Sequence, residues 1–141
     1  MVRLHGCSLR LTFNSIVMRD LRASVCQLLA NTLYQNCAKG ASLNENFDKP
    51  EAGYMVSVIT GPVYDRALDV DPIEVAQFLR KELEMNASSD TYAGVWTDSE
   101  TGKIYFDVFF NFSDRGDAEA FAREMKEIAI WDVVNDCEIR V

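Results

Sequence analysis

The chain is poor in the residues that punctuate or catalyse: one histidine, three prolines and seven glycines in 141 residues. So little proline and glycine excludes a collagen-like or low-complexity chain. The single imidazole, His5, leaves the remaining sequence without the base that a Ser-His-Asp or Cys-His relay needs beside its nucleophile. No apolar run approaches the roughly 18 residues of a membrane-spanning helix. Bases are scarce as well, 14 Lys and Arg against 22 Asp and Glu for a formal net charge of −8. That balance argues against direct nucleic-acid binding, because neutralising phosphates supplies the affinity there. What is present is 48% hydrophobic and 26% charged, an ordinary globular composition at a length that buries a core without metal or disulfide staples.

The charge is unevenly spread. Residues 1–50 hold six bases and three acids, whereas 51–141 hold eight bases and nineteen acids. Three of the four cysteines (Cys7, Cys26, Cys37) and His5 also fall in the first part. The stretch 38–53, with its Gly, Ser, Asn and Pro, has the composition of a linker, which predicts three units: an N-terminal extension (1–37), a linker (38–53) and an acidic α+β domain (54–141). In the extension, Leu9 to Phe13 reads as a short strand. Met18, Leu21, Val25, Leu28, Leu29 and Leu33 recur at helical spacing over about 16–36. Its arginines also fit a transit-peptide-like segment, or an addition upstream of a start at Met18 or Met55. A peripheral helix docked on the acidic domain is the plainest of these readings, and a chain starting near Gly53 is expected to fold unless that helix fills an open sheet face.

The acidic part is more legible. Tyr54–Thr60 is a β-rich run that Gly61-Pro62 is expected to end. Asp71-Pro72 supplies an N-cap and a first-turn proline, so a helix is predicted over 72–85 with Ile73, Ala76, Leu79 and Leu83 on its apolar stripe. Tyr92–Thr97 and Ile104–Phe110 read as strands joined by the loop 98–103. Along the second, Ile104, Phe106, Val108 and Phe110 alternate with Tyr105, Asp107 and Phe109. A helix over 114–126, capped by Ser113 or Asp114, carries Ala118, Phe121, Ala122 and Met125 inward. Ile128–Val134 and the segment from Cys137 to Val141 complete the order β-α-β-β-α-β-β, an α+β, ferredoxin-like split β-α-β sheet with an N-terminal helical extension.

The segments Tyr92-Ala-Gly-Val-Trp-Thr97, Gly102-Lys-Ile-Tyr-Phe-Asp-Val108, Ala118-Glu-Ala120, Ala129-Ile-Trp-Asp132 and Glu138-Ile-Arg-Val141 together resemble a group of small uncharacterised proteins of phages and mobile elements, chiefly actinobacterial. The likeness spans about 53–141 and rests on strand, hairpin and helix positions, so it carries over no catalytic residue. It implies a phage setting, where small acidic proteins are often inhibitors of host defence.

Cys7, with His5, offers half a metal site, but Cys26 and Cys37 lack the paired spacing that zinc requires. Ordinary thiols are expected, with a disulfide as the alternative, and no metal or cofactor is called. Irregular cysteine spacing fits a reducing cytoplasm. Asp65, Asp69 and Asp71 surround Arg66 without the order of a calcium loop. No glycine-rich phosphate loop is present. Two groups remain as candidate protein-binding residues. Asp114, Asp117, Glu119, Glu124 and Glu127 lie on and beside the second helix of the acidic part. Tyr105, Asp107 and Phe109 share the sheet face away from the helices, to be covered by the N-terminal helix or by a partner. The expected function is therefore a non-enzymatic acidic binding protein, anti-CRISPR or DNA-mimic-like, presented to a host protein with a basic surface. The alternative is a small-molecule-binding or self-assembling module, homodimeric in its simplest form.

Overall fold

In the computed structural model, which describes residues 22–86, 88 and 90–141, the alternating segment becomes a nine-residue strand, β4 (Ile104–Phe112). Across the hairpin loop, β3 (Thr91–Thr97) pairs with it antiparallel, Tyr92 opposite Phe109 and Trp96 opposite Tyr105. On its other side lies β2 (Tyr54–Tyr64). Beyond β2 come β5 (Ala129–Asp132) and β6 (Cys137–Arg140). At the opposite edge, β1 (Ala41–Leu43) pairs with β3. The result is a six-stranded antiparallel sheet of order β1-β3-β4-β2-β5-β6.

Gly61-Pro62 does not end β2, contrary to the sequence expectation. The strand runs 11 residues, through both of them, and its register against β4 slips between Ser57 and Ile59 and again between Thr60 and Val63. Such bulges curl a strand and leave a residue unpaired, which is where a proline without an N–H is tolerated. Gly61 is needed there for room: a Cβ would lie 2.5 Å from the Phe78 ring and 2.6 Å from the Phe106 carbonyl oxygen.

After a 3-10 turn (Ala67–Asp69), α2 (Pro72–Met85) starts at the expected cap, the Asp71 side chain accepting from the amides of Ile73 at 3.0 Å and Glu74 at 3.4 Å. Val75, Ala76, Leu79 and Leu83 are buried, whereas Ile73 is exposed. At the helical repeat Ile73 lies roughly 100° around the axis from the centre of that stripe, which turns it to solvent. The second predicted helix is α3 (Arg115–Glu124), capped by Asp114, which accepts from the Asp117 amide at 2.9 Å. It buries Ala118 and Ala122 over Val56 and Ile130, with Phe121 against Phe110 and Phe112. Met125, expected in the core, falls past the last helical turn and is exposed.

The N-terminal region needs the largest correction. Residues 22–35 form a helix, α1, whose Cys26, Leu29, Ala30 and Leu33 share one core with Val75, Leu79 and Leu83 of α2 and with Ala93, Val95, Phe106 and Val108 of the sheet. Strand registers put those sheet residues on one face together with Phe110 and Val56, the face under α3. The three helices among the described residues therefore pack on the same side, and α1 does not fill the other. The segment 38–53 is likewise no free linker, because it contains β1, and the Thr97 hydroxyl donates to the Cys37 carbonyl at 2.7 Å. Composition broke at 38–53 but packing does not. The expected strand at 9–13, the start of the 16–36 helix, and His5 and Cys7 lie outside the described residues. The last strand is the one expected from Cys137, but an added α1-β1 pair before β2 makes the element order depart from the expected β-α-β-β-α-β-β plan.

Candidate functional site, the open face of the sheet

Strand alternation sends every second side chain of β4 away from the helices. The registers then assemble rows across this face: Trp96, Tyr105 and Val63; Gly94, Asp107 and Thr60; Tyr92, Phe109 and Ser57; Asn111, Met55 and Trp131. Among the described residues no helix covers it. Tyr105, Asp107 and Phe109 sit together here, on the face that alternation predicted.

The centre of the face is a polar contact inside an aromatic surround. Trp96 and Tyr105 stack with ring centroids 4.4 Å apart and 10° between planes, and Trp96 remains 42% exposed. Asp107 is only 4% exposed. Its Oδ2 accepts from Trp96 Nε1 at 3.1 Å and from Ser57 Oγ at 3.3 Å. Its Oδ1 is enclosed and has no hydrogen-bond partner among the described residues. Burial pushes the Asp107 carboxyl above the usual range, against the pull of the Trp96 and Ser57 donors and of the Gly61 backbone amide. Glu127, half-buried after α3, is pushed the same way, first by burial and then by the charge of Asp107. Phe109 lies over Gly94, where a Cβ would come within 2.5 Å of its ring.

Around α3, Asp114, Asp117 and Glu124 are exposed, whereas Glu119 and Glu127 are half-buried. Asp114 is engaged as the helix cap. Glu119 is tied by Arg115 at 2.8 Å and Arg123 at 3.5 Å, and the Arg115 hydrogen bond is the first cause holding its carboxyl below the usual range. Asp117 and Glu124 are exposed. Asp117 also lines a shallow cleft of about 360 Å³ with Asn86, Asp90, Thr91, Asn111 and Ser113, none of them basic. Glu127, past the end of the helix, is half-buried. The Asp65, Asp69 and Asp71 group is likewise structural: Asp69 pairs with Arg66 at 3.0 Å and Asp71 caps α2.

Trp96, Ser57 and Trp131 were not singled out from the sequence. Trp96 was within reach, since the hairpin loop 98–103 sets its register opposite Tyr105. Ser57 depends on the bulged pairing of β2 with β4, which no local pattern announces. Among the described residues no group of three or more His, Cys, Asp or Glu is arranged to hold a metal ion, and no helix is long and apolar enough to cross a membrane. No protein-family model, curated protein or solved structure matches the chain.

Proposed function

We propose that this chain is a non-enzymatic binding protein that presents an acidic, aromatic surface to a protein partner with a basic surface. The observation carrying this reading is the open sheet face, with the half-exposed Trp96–Tyr105 stack beside Asp107 on the side that no described helix covers. Aromatic anchors dominate contact energy at interfaces. An acid excess steers a basic partner to them quickly and in a salt-dependent way. The resemblance to small acidic phage proteins supports a narrower version: a phage-encoded inhibitor of a host nucleic-acid-binding defence protein, anti-CRISPR or DNA-mimic-like, that contacts neither nucleic acid nor membrane itself. Free thiols at Cys26, Cys37 and Cys137 fit action in a reducing cytoplasm. Within this proposal β3-β4-β2-β5 with α2 and α3 is a ferredoxin-like split β-α-β core, supported by the antiparallel order of those four strands, and α1, β1 and β6 are additions to it.

A second reading, self-assembly, is favoured by β6. It is an edge strand on which Glu138 and Arg140 alternate onto one face, paired at 3.0 Å within the strand. An antiparallel second copy would set each Glu138 opposite an Arg140. Immobilised chain challenged with basic proteins across a salt series tests the main reading. Retention that falls with salt and drops on Trp96→Ala supports it. Retention indifferent to Trp96→Ala and to Asp117→Lys with Glu124→Lys refutes it, and a dimer by sedimentation that Arg140→Glu dissociates would favour the alternative.

A further inference from the structure

The two buried aspartates of the sheet are satisfied very differently. Asp132 has both oxygens occupied by Asn135, through the amide N–H at 3.2 Å and the side-chain Nδ2 at 2.8 Å. Asp107, also buried, has the Ser57 and Trp96 side chains on Oδ2 and the Gly61 amide near its carboxyl, and its Oδ1 has no hydrogen-bond partner among the described residues. An enclosed carboxylate oxygen without a partner costs free energy that a folded chain normally avoids, so the position calls for a donor from outside the described residues. Its neighbours restrict what that donor is. The indole and phenol of Trp96 and Tyr105 stand half open next to it, and no described base forms an ion pair with it. A planar cation with several N–H donors meets all of these at once. It stacks flat on an aromatic face and sheds its weak hydration at lower cost than an ammonium, and its fork offers donors to a carboxylate.

We infer that the Trp96–Tyr105 stack and Asp107 form a recognition site for the guanidinium of an arginine carried by the protein partner. The inference rests on the binding-protein reading above and names the chemistry that reading leaves open. The guanidinium lies on the exposed aromatic pair and reaches Asp107 from the edge where Nε1 of Trp96 now meets it. Because Oδ1 is closed to solvent, seating the cation takes a small swing of the indole, which opens Oδ1 to one guanidinium N–H while a second replaces the indole N–H on Oδ2.

The test uses the full chain labelled with ¹⁵N and two probes, an arginine-rich peptide and the same peptide with lysine at every arginine. The readouts are the two indole N–H signals, the one from Trp96 being identified by its loss in Trp96→Phe, and the affinity from each titration. The inference expects the arginine peptide to move the Trp96 signal saturably and to bind several-fold tighter than the lysine peptide. Asp107→Asn keeps an oxygen for Trp96 and Ser57 but removes the charge, and should erase that preference by weakening the arginine peptide about tenfold. Tyr105→Ala, which leaves the carboxylate alone, should also reduce it, so the site remains testable if Asp107→Asn folds poorly. Equal binding of the two peptides, with Asp107→Asn and Tyr105→Ala without effect, overturns the arginine site while leaving the acidic-surface reading standing. Binding of neither peptide overturns both.

Discussion

Replacing Leu33 by alanine separates a core α1 from an appended one. Leu33 is 0% exposed, whereas Leu28, one and a half turns earlier on the same helix, is 55% exposed. Both substitutions change helix propensity identically, so the difference between them reports packing alone. In a filled core, Leu→Ala costs about 2–5 kcal/mol through lost transfer energy and the cavity left behind. At Leu33 that cavity would open beneath Cys26, Leu29 and Leu43, which are themselves buried. Set against a total stability of about 5–15 kcal/mol for a domain, the loss is large. At about 3 °C per kcal/mol for a chain of this size, Leu33→Ala should lower Tm by roughly 6–15 °C. Leu28→Ala should stay within about 0.5 kcal/mol. Urea and thermal unfolding followed by circular dichroism measure both. If the two variants unfold alike, α1 is an appendage after all, and a chain starting at Gly53 should then fold. As packed here, that shortened chain loses Leu29, Leu33 and Leu43 and bares the β3 edge, so it should aggregate.

Three further outcomes follow from individual contacts. The Asp107 carboxyl is raised above its ordinary 3.8 in the fold, so the folded state binds the proton more tightly than the unfolded chain. Its favourable contribution is complete below that ordinary value and is lost as pH rises through the raised one. Asp107→Asn should therefore gain stability relative to the parent as pH rises from the ordinary carboxylate range through the raised one. A gap that does not change with pH would refute the assignment. Gly94→Ala should cost about 1–3 kcal/mol, because its Cβ would meet the Phe109 ring at 2.5 Å and the ring must leave the face; an unchanged denaturation midpoint would show that Phe109 yields freely. Asp71→Ala removes the acceptor for the Ile73 and Glu74 amides and should cost about 1 kcal/mol, read from the same unfolding curves, with Asp71→Asn recovering most of it.

Where structure follows from neighbours in the chain, the sequence was enough. Asp71-Pro72 starts α2 because a carboxylate acceptor and a preset φ act within one turn. The alternation from Ile104 to Phe110 put Tyr105, Asp107 and Phe109 on the face away from the helices because a strand can present its side chains in no other way. The hairpin between β3 and β4 closes over the loop read at 98–103, the Gly102 amide donating to the Asp98 carbonyl at 2.8 Å. The tertiary structure decided what depends on distant partners. Gly61-Pro62 carries a turn signal, yet pairing with β4 and the pressure of Phe78 turn it into a bulge within a longer strand. The stripe of α1 says only that one side is apolar. Burial against α2, β1 and β3 chooses the covered face and leaves the aromatic one without a described helix over it. The α3 acids look equivalent on a helical wheel, but a cap, two arginines and burial give Asp114, Glu119 and Glu127 separate fates. Hydrogen bonds within a turn are set by a few adjacent residues, whereas register, face and ion pairing depend on contacts between residues far apart in sequence, which form only when the whole sheet closes.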